Sequence, residues 1–583
     1  MPILHYDDGE ALGTVHAVDT GTVTVVASNL ELLRQLQVNR LVALRSGRPG
    51  QHLIGLVQRI SRTQDREVDE PDLDALLASP TPQINHVRVL LIGTLIDQDG
   101  TRQNVLTRTL NTVPEIDAHC FPIEGERLSD FMRNVAGLAS SGDNALKLGT
   151  YTLDESAEAY LNGNRFFQRH AVIVGSTGSG KSWTTAKLIE SMAPLPSVNS
   201  ILFDVHGEYS PLVSSGIQHL RVAGPSDLDT DNSLDDGVLY LPYWPLGYEQ
   251  IIELMVDRSD QNAPNQASVI ANLITEHKRA HLEKTNQTEL LDNFTIDSPV
   301  PFSLDNLLEE LRELDVGRVP SPTTGKPVNG PYYGRLTRLI LRLSNRKQDR
   351  RLGFLFGGPD DTNRNDYLPR LAQLLCSATN QQKDSQGGVK IIDFSDVPSD
   401  ILPLMVSLVA KFIFELQQWT PKINRKAIAL LCDEAHLYMA ADQTGGFGQA
   451  ALQYFGRIAK EGRKYGVGLV VISQRPSEVN RTILSQCNNF ISMRLTNAED
   501  QAVIKRLFPE NIASFGDILP ILETGEALVV GDASVLPTRV KITEPVDKPD
   551  SATINFWDDW ANSDPVQDID RAVVSLRMQS LQG

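Results

Sequence analysis

Cysteine is scarce in this 583-residue chain, with four in all: Cys120, Cys376, Cys432 and Cys487. They are far apart and form no C-x-x-C pair. That excludes a disulfide framework and a cysteine-ligated zinc site, and predicts a reducing, cytoplasmic setting. Long apolar runs are missing too. The longest, residues 401–414, carries Lys411 and falls short of the ~20 residues that span a bilayer, so no membrane contact is expected. The opening MPILHYDDGE has neither the basic nor the apolar region of a signal peptide. Positive charge is in deficit: 54 Lys and Arg against 73 Asp and Glu leave a net charge of −19. A protein that coats nucleic acid non-specifically is basic. Any DNA contact here must therefore be local, as in a basic channel through an acidic body.

What is present is an ordinary globular composition, 41% hydrophobic and 22% charged, with length enough for several domains. Residues 13–18, 21–26, 40–44 and 52–57 are short alternating or apolar runs between turn formers. Residues 86–96 form another, beyond an acidic stretch at 65–82 that reads as an exposed loop. This spacing predicts a small β-barrel over residues 1–120. From about residue 170 strands alternate with helices, the mark of an α/β fold with a mostly parallel sheet. Continuously apolar strands are expected at 171–174, 201–204, 389–393, 427–432 and 466–473. The expected divisions are a linker and first core segment (121–247), a helical insertion (248–387), a second core segment (388–545) ending in a β-hairpin around Gly531-Asp532, and a polar tail (546–583). Helices are predicted in the insertion near 248–257, 266–282, 304–314 and 333–345, with a Pro/Gly-rich break at 317–334.

Residues 175–182, GSTGSGKS, fit G-x-x-x-x-G-K-[ST] in full, after an apolar strand and before a helix. Thr177, Gly178, Ser179, Gly180, Lys181, Ser182 and Trp183 are the candidate nucleotide-binding residues. The glycines let backbone N–H groups turn around a phosphate at the helix start. Lys181 reaches the β- and γ-phosphates, and the Ser182 hydroxyl ligates Mg²⁺. The strand at 427–432 delivers Asp433 to Mg²⁺ and Glu434 as general base for the attacking water. Gln474, at the end of the fifth strand beside the γ-phosphate position, is expected either to sense that phosphate or to help place the attacking water. Asp204, His206 and Glu208 end the second strand on the same edge, where ligands gather, although Asp204 could equally cap the following turn. No N-K-x-D guanine-reading element and no L-S-G-G-Q segment occurs, so ATP is expected over GTP and a transporter-type ATPase is disfavoured.

Arg457, Lys460, Arg463 and Lys464 end a helix before the fifth strand. They either complement the helix C-terminus or supply, in Arg463, an arginine finger to a neighbouring subunit. Spacing alone leaves both open. Arg335, Arg338, Arg342 and Arg346 form a basic helical stripe, read as a solvated face. His277 and His281 have no third ligand and predict no metal site.

Taken together, residues 169–182 (RHAVIVGSTGSGKS), 203–209 (FDVHGEY), 431–436 (LCDEAH), 461–466 (EGRKYG) and 472–476 (ISQRP), in that order and with the N-terminal barrel and the helical insertion, resemble the HerA group of HerA/FtsK-type ATPases over most of the chain. The resemblance implies a RecA-like P-loop ATPase core and a homo-hexameric ring that shares ATP and Mg²⁺ sites between subunits and pumps double-stranded DNA. It makes Arg169 a nucleotide contact and Arg463 the finger in trans, and brings the region of Thr538 and Arg539 to a neighbour's nucleotide. It also implies that the barrel docks an effector. That effector is a NurA-type nuclease in DNA end processing, or another nuclease or a sirtuin-type NAD-consuming enzyme in antiphage defence, a setting that the chain's length favours. The alternative is an ATP-bound hexameric scaffold that activates such an effector without translocating.

Overall fold

The computed structural model describes residues 2–64, 83–100, 102–107, 110, 112–135, 145–320, 326–378, 388–442, 446–534, 536–551, 555–561 and 568–578. The loop expected at 65–82 lies outside them. The chain divides into two compact units: Met1–Phe166 with Gly525–Thr543, and Phe167–Thr524 with Glu544–Gly583.

The first unit contains the expected barrel. Thr22–Ala27, Gly13–Asp19, His119–Pro122, Leu41–Arg45, Gln51–Gln64 and Gln83–Asp99 pair antiparallel in that order, and the last pairs back onto the first. Six strands thereby close without a free edge. Thr22–Ala27 shows why: its residues alternate between half-buried and buried, and Val23 and Val25 enter a core with Val15, Val42, Leu53, Val57 and Val89. The same unit holds a four-stranded antiparallel sheet. In it the hairpin Glu526–Gly531/Thr538–Ile542 pairs with Leu146–Tyr151, which pairs in turn with Asp154–Leu161.

The second unit is built on an all-parallel sheet. Its strand order is Val238–Leu239, Ile217–Val222, Val389–Asp393, Ser200–Asp204, Ile428–Cys432, Val467–Ser473, Ala171–Val174 and Asn489–Ser492. The five strands expected from apolar runs are all present, and the four innermost positions beside the phosphate loop are buried throughout. Three strands were not legible as such. Ile217–Val222 lies near the outer edge and is half exposed, Val238–Leu239 has two residues, and Asn489–Ser492 opens and closes on polar residues. The insertion is helical as expected, with Tyr248–Met255, Ala263–Lys284, Leu304–Val316, Thr337–Gln348 and Tyr367–Cys376. The break at 317–334 holds two paired strands, Arg318–Pro320 and Pro327–Asn329. The polar tail carries helices at Phe556–Ala561 and Ile569–Met578. Asp570 in the first turn and Arg577 in the last turn of the latter complement its dipole. Among the described residues no helix is long and apolar enough to cross a membrane.

Candidate active site at the carboxyl edge of the parallel sheet

Strand Ala171–Val174 runs into the glycine-rich loop and then into helix Lys181–Met192. Gly178 and Gly180 have φ of +72° and +103°, a conformation that turns successive amides inward and that side-chain-bearing residues resist. The turn is tight at its base: a Cβ on Gly175 would lie 2.3 Å from Ser179 Oγ and 2.9 Å from Met493 Cβ. No side chain caps the helix, so its first N–H groups remain to be satisfied by a ligand or water. Ser179 Oγ is buried without a hydrogen-bond partner.

Strand Ile428–Cys432 carries Asp433 and Glu434 to the same edge, both buried. Lys181 Nζ donates to Asp433 Oδ1 at 2.9 Å and to Glu434 Oε1 at 2.8 Å. Burial opposes the lysine's charge, but the two carboxylates outweigh it and hold its pKa above the ordinary value. Burial likewise pushes Glu434 up, and Lys181 and Gln474 bring its pKa below the usual carboxylate value.

Gln474 links the loop to the acid. Its Nε2 donates to Glu434 Oε1 at 2.6 Å, and its Oε1 accepts from Thr177 Oγ1 at 2.7 Å. Ser182 Oγ donates to Glu208 Oε2 at 2.7 Å. Asp204 takes the capping alternative: its oxygens accept from the backbone N–H groups of Glu208 and Tyr209 at 3.1 and 2.9 Å. Burial raises it to about 7, helped by the nearby Asp433 and Asp393 and opposed by the Tyr209 N–H. The Tyr209 hydroxyl donates to Asp433 Oδ2 at 3.2 Å. Trp183 lies under the Lys548 ammonium, 5.0 Å from the ring centroid.

Lys181, Ser182, Asp433, Glu434, Gln474 and Thr177 therefore converge. Arg169 and Arg463 do not join them. Arg169 precedes strand Ala171–Val174, and Arg463 ends helix Gly446–Tyr465 just before strand Val467–Ser473, so both lie exposed at the opposite, amino edge. Arg539 bonds Glu526 within its own hairpin at 2.7 Å. In the basic stripe, Arg342 lies 3.9 Å from Asp257 and Arg346 donates to the Leu254 carbonyl at 2.7 Å. His277 lies 3.1 Å from Glu310, and among the described residues no cluster of metal-ligating type occurs. Sequence reading missed Tyr209, Lys548 and the direct partnership of Glu208 with Ser182. Only the shared carboxyl edge pointed toward Glu208.

The residues fit a magnesium–triphosphate group: left-handed glycines, an uncapped helix start, an orphaned Ser179 hydroxyl, one lysine, and Ser182 and Asp433 as oxygen donors. A family model described as "Helicase HerA, central domain" matches residues 146–413. Over that span the chain is similar to the HerA helicases. The DNA double-strand break repair helicase HerA of Saccharolobus solfataricus is 24% identical over 409 residues, 69% of each chain. The probable DNA double-strand break repair helicase HerA of Methanocaldococcus jannaschii is 25% identical over 456 residues, 72% of this chain and 80% of that one. Among solved structures, VirB4 of Thermoanaerobacter pseudethanolicus is 18% identical at a TM-score of 0.43, covering 68% of this chain and 95% of that one. The HerA central-domain match takes in the phosphate loop, Asp204 and Glu208. Asp433, Glu434 and Gln474 lie beyond it and are placed at the site by geometry.

Proposed function

We propose that this chain is an ATP-hydrolysing hexameric motor that translocates on double-stranded DNA and works with an effector docked on its barrel, such as a nuclease in DNA end processing or antiphage defence. The observation that carries the hydrolytic part is the convergence of Lys181 on Asp433 and Glu434, with Gln474 bridging Glu434 to Thr177. The DNA-directed part rests on the HerA relatives, which are DNA repair helicases.

In this reading Lys181 turns from Glu434 to the β- and γ-phosphate oxygens, which frees the carboxylate to take a proton from the attacking water. Ser182, released from Glu208, and Asp433 hold Mg²⁺, whose chemistry is to neutralise charge on the phosphates. Gln474 orients Glu434 and meets the γ-phosphate beside Thr177, while Trp183 lies along the nucleotide. Arg463, exposed at the amino edge, faces away from its own chain's phosphate loop and would serve a neighbouring subunit's nucleotide.

The test is steady-state ATP hydrolysis with and without linear duplex DNA. Wild type is expected to turn over faster with DNA, and Glu434→Gln to lose at least 100-fold in kcat while still binding ATP. Turnover indifferent to DNA, with no mobility shift at low salt, moves the reading to the scaffold alternative. The closed barrel, in a compact unit separate from the one that holds the phosphate loop, and the net charge of −19 favour that alternative.

A further inference from the structure

Glu434 has φ 44° and ψ 44°, the left-handed region that a residue with a side chain occupies only when its surroundings impose it. The turn it makes brings His436 back beside its own carboxylate. His436 Nδ1 lies 3.2 Å from Glu434 Oε2 and 3.3 Å from Ser473 Oγ. The two carboxylate oxygens are thus served differently. Oε1 accepts from Lys181 and Gln474, whereas Oε2 is buried without a hydrogen-bond partner, with His436 Nδ1 3.2 Å away. Ser473 and Gln474 are consecutive, so one strand end addresses both sides of the acid.

We propose that His436 is a positioning residue for Glu434, its Nδ1–H holding Oε2 so that the carboxylate plane stays fixed after Lys181 leaves for a phosphate. The inference rests on the ATPase reading above. Lys181 cannot hold Oε1 and reach a phosphate oxygen at once. Its departure leaves Glu434 with a single hydrogen bond from Gln474, about which the carboxylate can rotate. A second contact on the other oxygen removes that freedom, and orientation of a general base within a few tenths of an ångström governs its rate. Ser473 Oγ lies 3.3 Å from the same Nδ1 and accepts from the Arg475 N–H at 3.1 Å, so the Nδ1–H that turns to Oε2 is shared with or drawn from Ser473. The charged groups facing His436 are Glu434, Glu478, Arg475 and Lys181.

The experiment compares His436→Ala, His436→Asn and Glu434→Gln with wild type in ATP hydrolysis, with nucleotide binding measured on each. Asparagine puts an amide nitrogen close to the position of Nδ1. The expected result is a kcat about ten-fold lower in His436→Ala with KM for ATP within two-fold, and recovery of most of that loss in His436→Asn. The proposal is overturned by a His436→Ala kcat within two-fold of wild type. It is equally overturned if His436→Asn is as impaired as His436→Ala, or if KM rises in step with the fall in kcat, which marks general damage to the site. A Glu434→Gln enzyme that turns over normally is a different failure, because Glu434 is then not the base and the ATPase reading of the site falls with it.

Discussion

The two ends of one strand carry opposite solutions to the handling of charge. Ala171–Val174 runs into the phosphate loop at its carboxyl end, where Lys181, Asp433 and Glu434 are all buried and paired with one another. At its amino end Arg169 and Arg463 lie in solvent around a buried imidazole, His170. Burying a charge is costly unless a partner shares the site. The carboxyl edge meets that cost with a lysine and two acids, in the dry setting where electrostatic catalysis is strongest. The amino edge avoids it by keeping Arg169 and Arg463 exposed at the surface. One sheet thus carries an internally completed half-site on one edge and, on the other, the cations that the proposed ring requires a neighbour to supply.

The strongest way to break this comparison is to remove a cation from the amino edge. Arg463→Ala is expected to lower kcat by 100-fold or more, in the range of an arginine finger, with nucleotide binding by the single chain preserved. A mixture with Glu434→Gln sharpens the point. Each variant alone is inactive, but a ring containing both holds some interfaces with an intact Glu434 from one chain and an intact Arg463 from the other. Turnover should therefore reappear on mixing. If it does not, and Arg463→Ala alone hydrolyses ATP at the wild-type rate, the amino edge has no share in the chemistry.

His170 gives a second test, of stability. It is 3% exposed, its Nδ1 accepts from the Leu469 N–H at 3.0 Å, and burial first, then the Arg463 charge, pushes its pKa down to about 4 against a hydrogen bond at Ala459. The folded pKa lies below the unfolded one of about 6.5, so between these values the unfolded chain holds more protons. The stabilisation from a neutral His170 is complete above about pH 6.5 and is lost as pH falls toward 4. Relative to His170→Gln, wild type should lose about 2–3 kcal/mol between pH 7 and 4.5, read from denaturant melts at each pH. Asp204, raised to about 7, acts in the opposite sense, but it is present in both proteins and cancels in the difference. A difference that does not change with pH would mean that His170 is not held neutral.

How much of this was legible in the sequence follows from how local each feature is. The phosphate loop was, because its glycines and its lysine–serine pair are contiguous and each is required by backbone geometry at its own position. The inner strands were, because burial on both faces leaves an unbroken apolar run; Ile217–Val222 is partly exposed, Val238–Leu239 is only two residues long, and Asn489–Ser492, though buried, begins and ends on polar residues. The barrel was legible from alternation, but its closure by Thr22–Ala27 on Gln83–Asp99 depends on pairing across the chain that no local pattern encodes. At the site, Asp433 and Glu434 were named for the right edge, yet the Tyr209 hydroxyl on Asp433 spans 224 residues of sequence. His436 stood in the quoted motif without a role, because only the left-handed turn at Glu434 reveals that its ring folds back.

The smallest expected effect tests where the carboxyl edge ends. Residues 546–550 cross beside it: the Val546 N–H donates to Glu190 Oε2 at 2.8 Å, Asp547 Oδ2 accepts from Ser214 Oγ at 2.7 Å, and the Asp550 N–H donates to the Glu208 carbonyl at 2.7 Å. Lys548 lies over Trp183 from this segment, but its side chain is 59% exposed, and a cation–π contact in water contributes only about 0.5–1 kcal/mol. The backbone and Asp547 contacts hold the segment without it. Lys548→Ala should therefore lower unfolding stability by no more than about 1 kcal/mol and leave kcat within two-fold of wild type. A loss of turnover comparable to that of Glu434→Gln would show that the segment belongs to the catalytic edge, and that the buried half-site extends past the strands that build it.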